Sequence, residues 1–98
     1  MEVEFDDPDL DRLETDPRFT AGLIAGIVSA YRRRIQQIRA ALDERDLYQL
    51  GGARFKQLQG KRSNQHSMRL NDQWRLILEL RGKGPEKIVH VVGIEDYH

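Results

Sequence analysis

Residues 65–80, QHSMRLNDQWRLILEL, carry the clearest information about the fold. Polar and apolar side chains alternate on both sides of the polar segment 71–73, which is typical of two antiparallel strands joined by a turn. A three-residue loop at this point places Leu70 opposite Trp74. This register predicts an apolar face that helices can cover. The residues on that face are Met68, Leu70, Trp74, Leu76, Leu78 and Leu80.

The same register places Arg69 directly opposite Arg75 on the other face of the hairpin. Like charges opposed across two strands are unfavourable, so the pair favours an anion bound between or above the two guanidinium groups. The alternative is that both arginines extend into solvent, with their aliphatic stems over Ile77.

Upstream of residue 50, apolar side chains recur at three- and four-residue steps, which predicts a helix from roughly Thr20 to Leu42. Asp16 followed by Pro17 suits the start of this helix, as a carboxylate N-cap and a proline in the first turn. The predicted apolar stripe consists of Leu23, Ile24, Ile27, Val28, Tyr31, Ile35, Ile38 and Leu42.

Shorter elements complete the predicted fold. Residues 1–5 alternate acidic and apolar side chains, which predicts a strand with Val3 and Phe5 facing inward. Short helical turns are expected near residues 10–13 and 43–48. A β-prone run from Glu86 to Ile94 predicts a buried strand. The order is strand, helical hairpin and antiparallel meander, so we expect an α+β fold with helices on one face of the sheet.

The composition predicts one domain over residues 1–98, since a chain of this length supports a single core. There is no cysteine, which excludes disulfides and thiolate metal sites. The three histidines lack metal-ligand spacing, so no metal or cofactor is expected. The longest run of small apolar residues, 23–30, is too short to cross a membrane. It lies inside the chain, after an acidic stretch, so it does not match a signal peptide. We expect a cytoplasmic protein.

The formal net charge of zero hides a strong asymmetry. Residues 1–17 contain eight acidic residues and one basic residue, whereas residues 54–87 contain nine basic and three acidic residues. A polyanionic partner for the second half fits this pattern. Lysines and arginines on solvated loops are the alternative reading.

The chain ends with an acid, a phenol and an imidazole at Asp96, Tyr97 and His98. RNA cleavage without a metal needs a base, an acid and a cation for the charge that builds on phosphorus. Asp96 and His98 are candidates for proton transfer, and Arg75 can hold a phosphate through two oxygens. Tyr97 could stack a base or hydrogen-bond a phosphate. The alternatives are that Asp96 forms a structural ion pair, that Tyr97 fills the edge of the core, and that His98 is disordered.

The segment from Arg54 to Arg62 interleaves basic residues with apolar ones. If Phe55 and Leu58 face inward, Lys56, Lys61 and Arg62 project along one exposed edge that could bind RNA, together with Arg54 and Arg69. The alternative is a basic loop. The remaining histidines are interpreted as structural, His66 at the edge of the core and His90 within an apolar strand.

The segments LQGKR (58–62), QHSMRLNDQWRL (65–76) and IEDYH (94–98) together resemble the HigB toxins of the RelE superfamily, the killer proteins of bacterial toxin–antitoxin systems. The motifs lie within residues 50–98, and the predicted order of elements in residues 1–49 is compatible with that fold. An NDQWR-like segment combined with a terminal DYH is specific, whereas either motif alone is weak.

The resemblance implies a metal-independent, ribosome-dependent mRNA endoribonuclease with a RelE-like fold. Such an enzyme enters the ribosomal A site, where the 2′-hydroxyl of the mRNA attacks its own phosphate and leaves a 2′,3′-cyclic end. By this resemblance Arg75 stabilises the transition state, Asp96 and His98 share proton transfer, and Tyr97 orients the nucleotide. Lys56 stands where some relatives have a catalytic histidine, so Lys56 is either a phosphate ligand or the base, and His98 is the other candidate base.

The implied partners are a HigA-like helix-turn-helix antitoxin and the 70S ribosome with its mRNA. Operator DNA would be bound only through the antitoxin complex, and no membrane is involved. The acidic start of the chain departs from the family, whose toxins are usually basic. A contact with the antitoxin and simple solvation of the chain end are both compatible with it.

Two other functions fit the same fold. A ParE-like toxin inhibits DNA gyrase and does not need the Asp-Tyr-His terminus. A non-catalytic RNA- or protein-binding module would use the basic meander only for docking, with a steep dependence of RNA binding on salt.

Overall fold

The computed structural model describes residues 1–97, and His98 lies outside the described part of the chain. It contains three α-helices and five β-strands, joined by two 3₁₀ turns at Gly60–Arg62 and Gly84–Glu86. In chain order, the elements are β1 (Glu2–Phe5), α1 (Pro8–Thr15), α2 (Ala25–Ala40), α3 (Glu44–Tyr48), β2 (Lys56–Gln57), β3 (Gln65–Arg69), β4 (Trp74–Arg81) and β5 (Ile88–Asp96).

The strands form one sheet in the order β1-β5-β4-β3-β2. The last four strands along the chain are antiparallel neighbours, and β1 is parallel to β5. The predicted α+β class is therefore confirmed. The basic segment from Arg54 to Arg62 contains the short edge strand β2, because Lys56 and Gln57 pair with Ser67 and His66, so it is not a loop throughout.

The predicted hairpin register is correct. Arg69 pairs with Arg75 across β3 and β4, and the amide of Leu70 donates to the carbonyl of Trp74 at 2.9 Å. Asn71 closes the turn, because its side-chain oxygen accepts from the amides of Gln73 and Trp74. An Asx-type turn of this kind fixes the loop length and hence the face on which each side chain lies.

The predicted start of the long helix is wrong, because α2 begins at Ala25 rather than near Thr20. Asp16 caps the end of α1 instead, and its amide donates to the carbonyl of Arg12. Backbone φ is positive at Ala21 and Gly22, which excludes an α-helix there. Arg32, on α2, donates to three carbonyls upstream of that point and so replaces the missing helical hydrogen bonds.

The predicted apolar stripe is buried along the middle of α2 but not at its two ends. Ile24 and Leu42 lie outside the helix and are 69% and 84% exposed. Arg34 on α2 is also buried, where it donates to the carbonyls of Arg69 and Gly52. Burial lowers the pKa of Arg34 from its usual value, since a guanidinium loses hydration there.

The helices and one face of the sheet enclose one apolar cluster. Helix α2 contributes Ile27, Tyr31, Ile35 and Ile38, and the central strands contribute Met68, Leu76, Leu78, Val89 and Val91. Val3 and Phe5 pack against this cluster, as predicted. The opposite face of the sheet carries no helix in the described chain. No helix within residues 1–97 is long and apolar enough to cross a membrane.

Strand β5 contains a bulge in its middle. Ile77 pairs with Gly93 and Leu78 pairs with Val91, so Val92 has no partner on β4. One extra residue reverses the alternation of side chains beyond it. Val91 and Ile94 therefore both face the helices, and Glu95 lies opposite Arg75 on the open face.

Candidate active site

Arg75 is a buried arginine on the open face of the sheet, with a relative exposure of 9%. Its Nη1 donates to the carbonyls of Asn71 at 2.7 Å and Trp74 at 3.2 Å. Within residues 1–97 no carboxylate lies within ion-pair distance of this guanidinium, and Nε and Nη2 make no hydrogen bond. The charge of Arg75 is therefore not paired with a carboxylate in this part of the chain, and its Nε and Nη2 donors are unused.

Tyr97 lies over this guanidinium, with the Arg75 Cζ 4.3 Å from its ring centroid. The amide of Tyr97 donates to the carbonyl of Gln73 at 2.6 Å, which extends the pairing of β5 beyond its last residue. Lys56, on β2, approaches the same ring, with its Nζ 5.5 Å from the centroid. Two cations from different strands thus converge on one half-exposed aromatic ring.

A cleft of about 180 Å³ opens beside this ring. It is lined by Leu58, Arg62, Ser67, Arg75, Ile77, Glu95, Asp96 and Tyr97. Leu58 was expected to face inward with Phe55, but alternation in this segment places it on the open face, where it joins Ile77 as an apolar wall. The cleft combines an apolar wall, a stacking ring and a charged arginine.

Glu95 is the charged residue of the cleft lining that the sequence interpretation missed. It accepts two hydrogen bonds from Arg62, at 3.0 and 2.7 Å. Arg62 is thereby drawn over the cleft but neutralised. A glycine inside a strand pattern often marks a bulge, so Gly93 was the signal that could have placed Glu95 on this face.

Asp96 ends β5, where it pairs with Trp74. Its side chain accepts from the Gln73 amide at 3.3 Å, and the residue also lines the cleft. Asp96 and Tyr97 are thus positioned by the last residues of the β3–β4 turn, since Gln73 contacts both.

The other predicted RNA-binding residues lie around the cleft but do not line it. Arg69 pairs with Asp72 in the turn, and this contact lowers the pKa of Asp72 below its usual value. Arg54 has a positive φ of 48° and is exposed. Lys61 is exposed on the 3₁₀ turn. These three residues, here called the basic rim, are neighbours of cleft elements: Arg54 precedes β2, Lys61 precedes Arg62, and Arg69 pairs with Arg75.

A family model described as "RelE-like toxin of type II toxin-antitoxin system HigB" matches residues 3–98. The match spans nearly the whole chain. The chain belongs to the HigB-like toxin family. Membership of a type II toxin family implies an antitoxin as partner.

Solved structures are similar to this HigB-like toxin over its full length. The YoeB/ParE toxin from Agrobacterium tumefaciens has a TM-score of 0.63 and 18% identity, and the match covers 100% of both chains. YafQ from E. coli strain BL21(DE3) has a TM-score of 0.56 and 12% identity, with 97% of this chain and 91% of YafQ covered. At these identities the likeness shows the fold alone. No curated protein sequence matches the chain.

The described histidines of this HigB-like toxin lie away from the cleft lining. His66 stacks on Phe55, with ring centroids 4.9 Å apart, and burial lowers its pKa. His90 is buried between Glu4 and Asp6 on the open face. The candidate base His98 lies outside the described residues. Within residues 1–97, no cluster of three acidic, histidine or cysteine side chains is arranged to hold a metal.

Proposed function

We propose that this toxin is an endoribonuclease that cleaves mRNA in the ribosomal A site without a metal, through attack of the 2′-hydroxyl on the adjacent phosphate. One observation carries the proposal: Arg75 is buried, has no carboxylate partner among residues 1–97, and lies against Tyr97 in a cleft. The proposed inhibition of translation follows from the loss of the message.

The energetics of Arg75 favour a bound anion. A buried cation without a counter-ion costs free energy, because dehydration is not repaid by an ion pair. A phosphate placed against Nε and Nη2 would repay that cost through two charge-assisted hydrogen bonds. Charge that develops on the phosphate in the transition state would strengthen the same bonds, and such a donor contributes a factor of about 10²–10³ to the rate.

The neighbouring residues supply the other functions that the reaction needs. Tyr97 offers a face on which a base can stack, beside an apolar wall at Leu58 and Ile77. We assign proton transfer to Asp96 and His98. Lys56 either holds the phosphate or acts as the base, since it approaches the Tyr97 ring from β2.

The basic rim fits the path of an RNA backbone. We propose that Arg54, Lys61, Arg62 and Arg69 contact phosphates on either side of the scissile one. Arg62 and Arg69 are held by Glu95 and Asp72 in the free toxin. Phosphates would therefore have to replace these two carboxylates, which ties RNA binding to a local exchange of ion pairs.

The proposed partners follow from the family and the site. We propose a HigA-like antitoxin with a helix-turn-helix, which would bind operator DNA for the complex, and the 70S ribosome as the place where mRNA is presented. We further propose that residues 1–98 act as one domain in the cytoplasm, since the described elements share one apolar cluster.

The test is to induce the toxin briefly in growing cells and map the 5′ ends of all mRNAs. We expect new ends at fixed positions within translated codons, with 2′,3′-cyclic phosphate on the upstream fragments. Purified toxin should cut the same sites on ribosome-bound mRNA and leave the naked transcript intact. Intact mRNA with a DNA-damage response would overturn the proposal in favour of gyrase inhibition. RNA binding without new ends would support a docking module.

A further inference from the structure

Ser67 lies at the centre of β3, on the open face of the sheet. Its chain neighbours His66 and Met68 alternate onto the helix side, where His66 stacks on Phe55 and Met68 belongs to the apolar cluster. Ser67 is only 2% exposed, although it lines the cleft beside Tyr97. The residue therefore forms the floor of the cleft rather than its edge.

The hydroxyl of Ser67 has no hydrogen-bond partner among residues 1–97. In that part of the chain, the side-chain polar atom that is both sealed from solvent and unpaired is Nδ1 of His66, so Oγ of Ser67 still reaches the opening of the cleft. A polar group that is nearly buried normally finds a partner in the folded protein. At Ser67 the partner has to come from what enters the cleft, either water or a ligand.

The strands on either side of β3 supply the two cations that contact the Tyr97 ring, Arg75 from β4 and Lys56 from β2. The ring is therefore held over the part of the open face that β3 crosses. Lys56 pairs with Ser67 across β2 and β3, so the hydroxyl and the ring belong to the same small region. An aromatic face combined with a hydrogen-bonding side chain is how proteins hold an unstacked base.

The group that meets Ser67 differs from the phosphate that Arg75 would hold. Nη1 of Arg75 donates to the carbonyls of Asn71 and Trp74, which anchors the guanidinium toward the β3–β4 turn. Arg69 pairs with Arg75, and Ser67 lies two residues further from the turn, a distance of about 7 Å along the strand. The phosphate and the group at Ser67 are therefore different parts of one substrate.

Apolar side chains flank Ser67 in the cleft. Ile77 pairs with it across β3 and β4 and is buried, and Leu58 lines the same cleft. A charged phosphate loses hydration in such surroundings, whereas the edge of a nucleobase brings polar groups without a net charge. The hydroxyl can donate to a ring nitrogen or carbonyl of a base, or accept from an amino group.

We propose that Ser67 is a substrate-binding residue whose hydroxyl hydrogen-bonds the edge of the nucleobase that enters the cleft beside Tyr97. The inference rests on the proposed cleavage of RNA at Arg75 and adds the group that orients the base relative to the scissile phosphate. Stacking on a ring leaves a base free to rotate in its own plane, and a hydrogen bond to the floor of the cleft removes that freedom.

The test is a double-mutant cycle between Ser67 and the bases of the codon. Cleavage of ribosome-bound mRNA is measured for the wild-type toxin and for Ser67→Ala, with each codon base in turn replaced by an apolar isostere, difluorotoluene for a pyrimidine or methylindole for a purine. Ser67→Ala should lower kcat/KM about five- to ten-fold on the natural codon. At one codon position the isostere should cause a similar loss in the wild type and no further loss in Ser67→Ala.

Thermal stability separates this role from a structural one. Ser67→Ala removes no hydrogen bond of the described chain, so its Tm should be no lower than that of the wild type. Ser63→Ala is the matched control, since Ser63 is exposed at the end of the 3₁₀ turn and does not line the cleft. Its effect on kcat/KM should stay below about two-fold. A loss of activity in Ser67→Ala that parallels a fall in Tm overturns the proposal.

The same cycle is measured as Kd with uncleavable 2′-deoxy trinucleotides, titrated into the isotope-labelled full-length toxin. Coupling between Ser67 and one base without any cleavage of mRNA overturns the proposed reaction alone. Cleavage at the normal rate by Ser67→Ala, or additive effects at all three codon positions, overturns the base contact alone. Neither cleavage nor binding overturns both.

Discussion

Arg75 and Arg81 lie on the same face of β4, six residues apart, in opposite surroundings. Arg81 is half-exposed and donates to Glu79 and Glu4, so its charge is neutralised from two sides. Arg75 is almost fully buried, donates to two backbone carbonyls, and stacks on Tyr97. At the start of β4 the charge of Arg75 is not paired with a carboxylate of residues 1–97, whereas at the end of β4 the charge of Arg81 is paired with two.

The two arginines differ in whether their hydrogen-bond donors are already used by carboxylates of the protein. Exposed ion pairs contribute little to stability, so Arg81 serves mainly to balance the acidic side of the sheet. A buried guanidinium with spare donors is costly to keep. At Arg75 the unused donors Nε and Nη2 belong to a residue that lines the cleft, where an anion can meet them, as the proposed RNA cleavage requires.

The largest expected effect on the rate of mRNA cleavage comes from removing the Arg75 guanidinium. Arg75→Ala should lower the rate of mRNA cleavage by about 10²–10³-fold, because the transition state loses its main charge contact. Arg81→Ala is the matched control on the same face of the same strand, and it should stay within about two-fold. Ribosome-bound mRNA and rapid mixing provide the rates. A folded Arg75→Ala toxin that cuts at the normal rate would contradict the site assignment.

A smaller effect is expected from the ring that covers Arg75. Tyr97→Ala should reduce kcat/KM by about ten- to a hundred-fold, since stacking of a base contributes about 1–3 kcal/mol. Tyr97→Phe keeps the ring and should stay within about two-fold. Tyr48→Ala, at another exposed tyrosine outside the cleft lining, controls for loss of surface aromatic area. A large loss in Tyr97→Phe would show instead that the hydroxyl matters.

The smallest effect tests whether the acid that neutralises Arg62 restrains RNA binding. Glu95→Gln should lower KM for RNA by about two- to five-fold with kcat unchanged, because an exposed ion pair is worth up to about 1 kcal/mol. Glu79→Gln makes the same change beside Arg81 and should leave KM unaltered. If Glu95→Gln reduces kcat ten-fold while KM is constant, Glu95 takes part in proton transfer and the assignment to Asp96 and His98 must be revised.

Much of the sheet could be predicted from the sequence, since alternation between residues 65 and 80 contains both the period and the turn length. The start of α2 could not, because Asp16 and Pro17 suit a helix start equally well when they end the previous helix. The deciding contacts come from Arg32, which lies half a helix away along the chain. The parallel pairing of β1 with β5 joins opposite ends of the chain and leaves no local pattern.

The residues of the candidate site likewise include some that could be predicted from the sequence and one that could not. Arg75 could be placed by the hairpin register, and the sequence pattern also drew attention to Tyr97 and Lys56. Their roles remain proposals, although the structure brings all three side chains together. Glu95 was missed because strict alternation from Val89 and Val91 would direct it toward the helices. Its true orientation depends on one unpaired residue, Val92.

Val92 divides β5 into two parts in which the side chains alternate between the faces of the sheet with opposite parity. Before Val92, odd-numbered positions face the helices, and His90 serves the acidic side of the sheet. After it, even-numbered Ile94 faces the helices, and Glu95 serves the cleft. Deletion of Val92 would remove the bulge and leave Ile94 and Glu95 on their present faces, whereas insertion of one residue between Gly93 and Ile94 would turn the Glu95 carboxylate toward the helices. The number of residues between Gly93 and Glu95, rather than the identity of residue 92, therefore decides whether a carboxylate lies opposite Arg75.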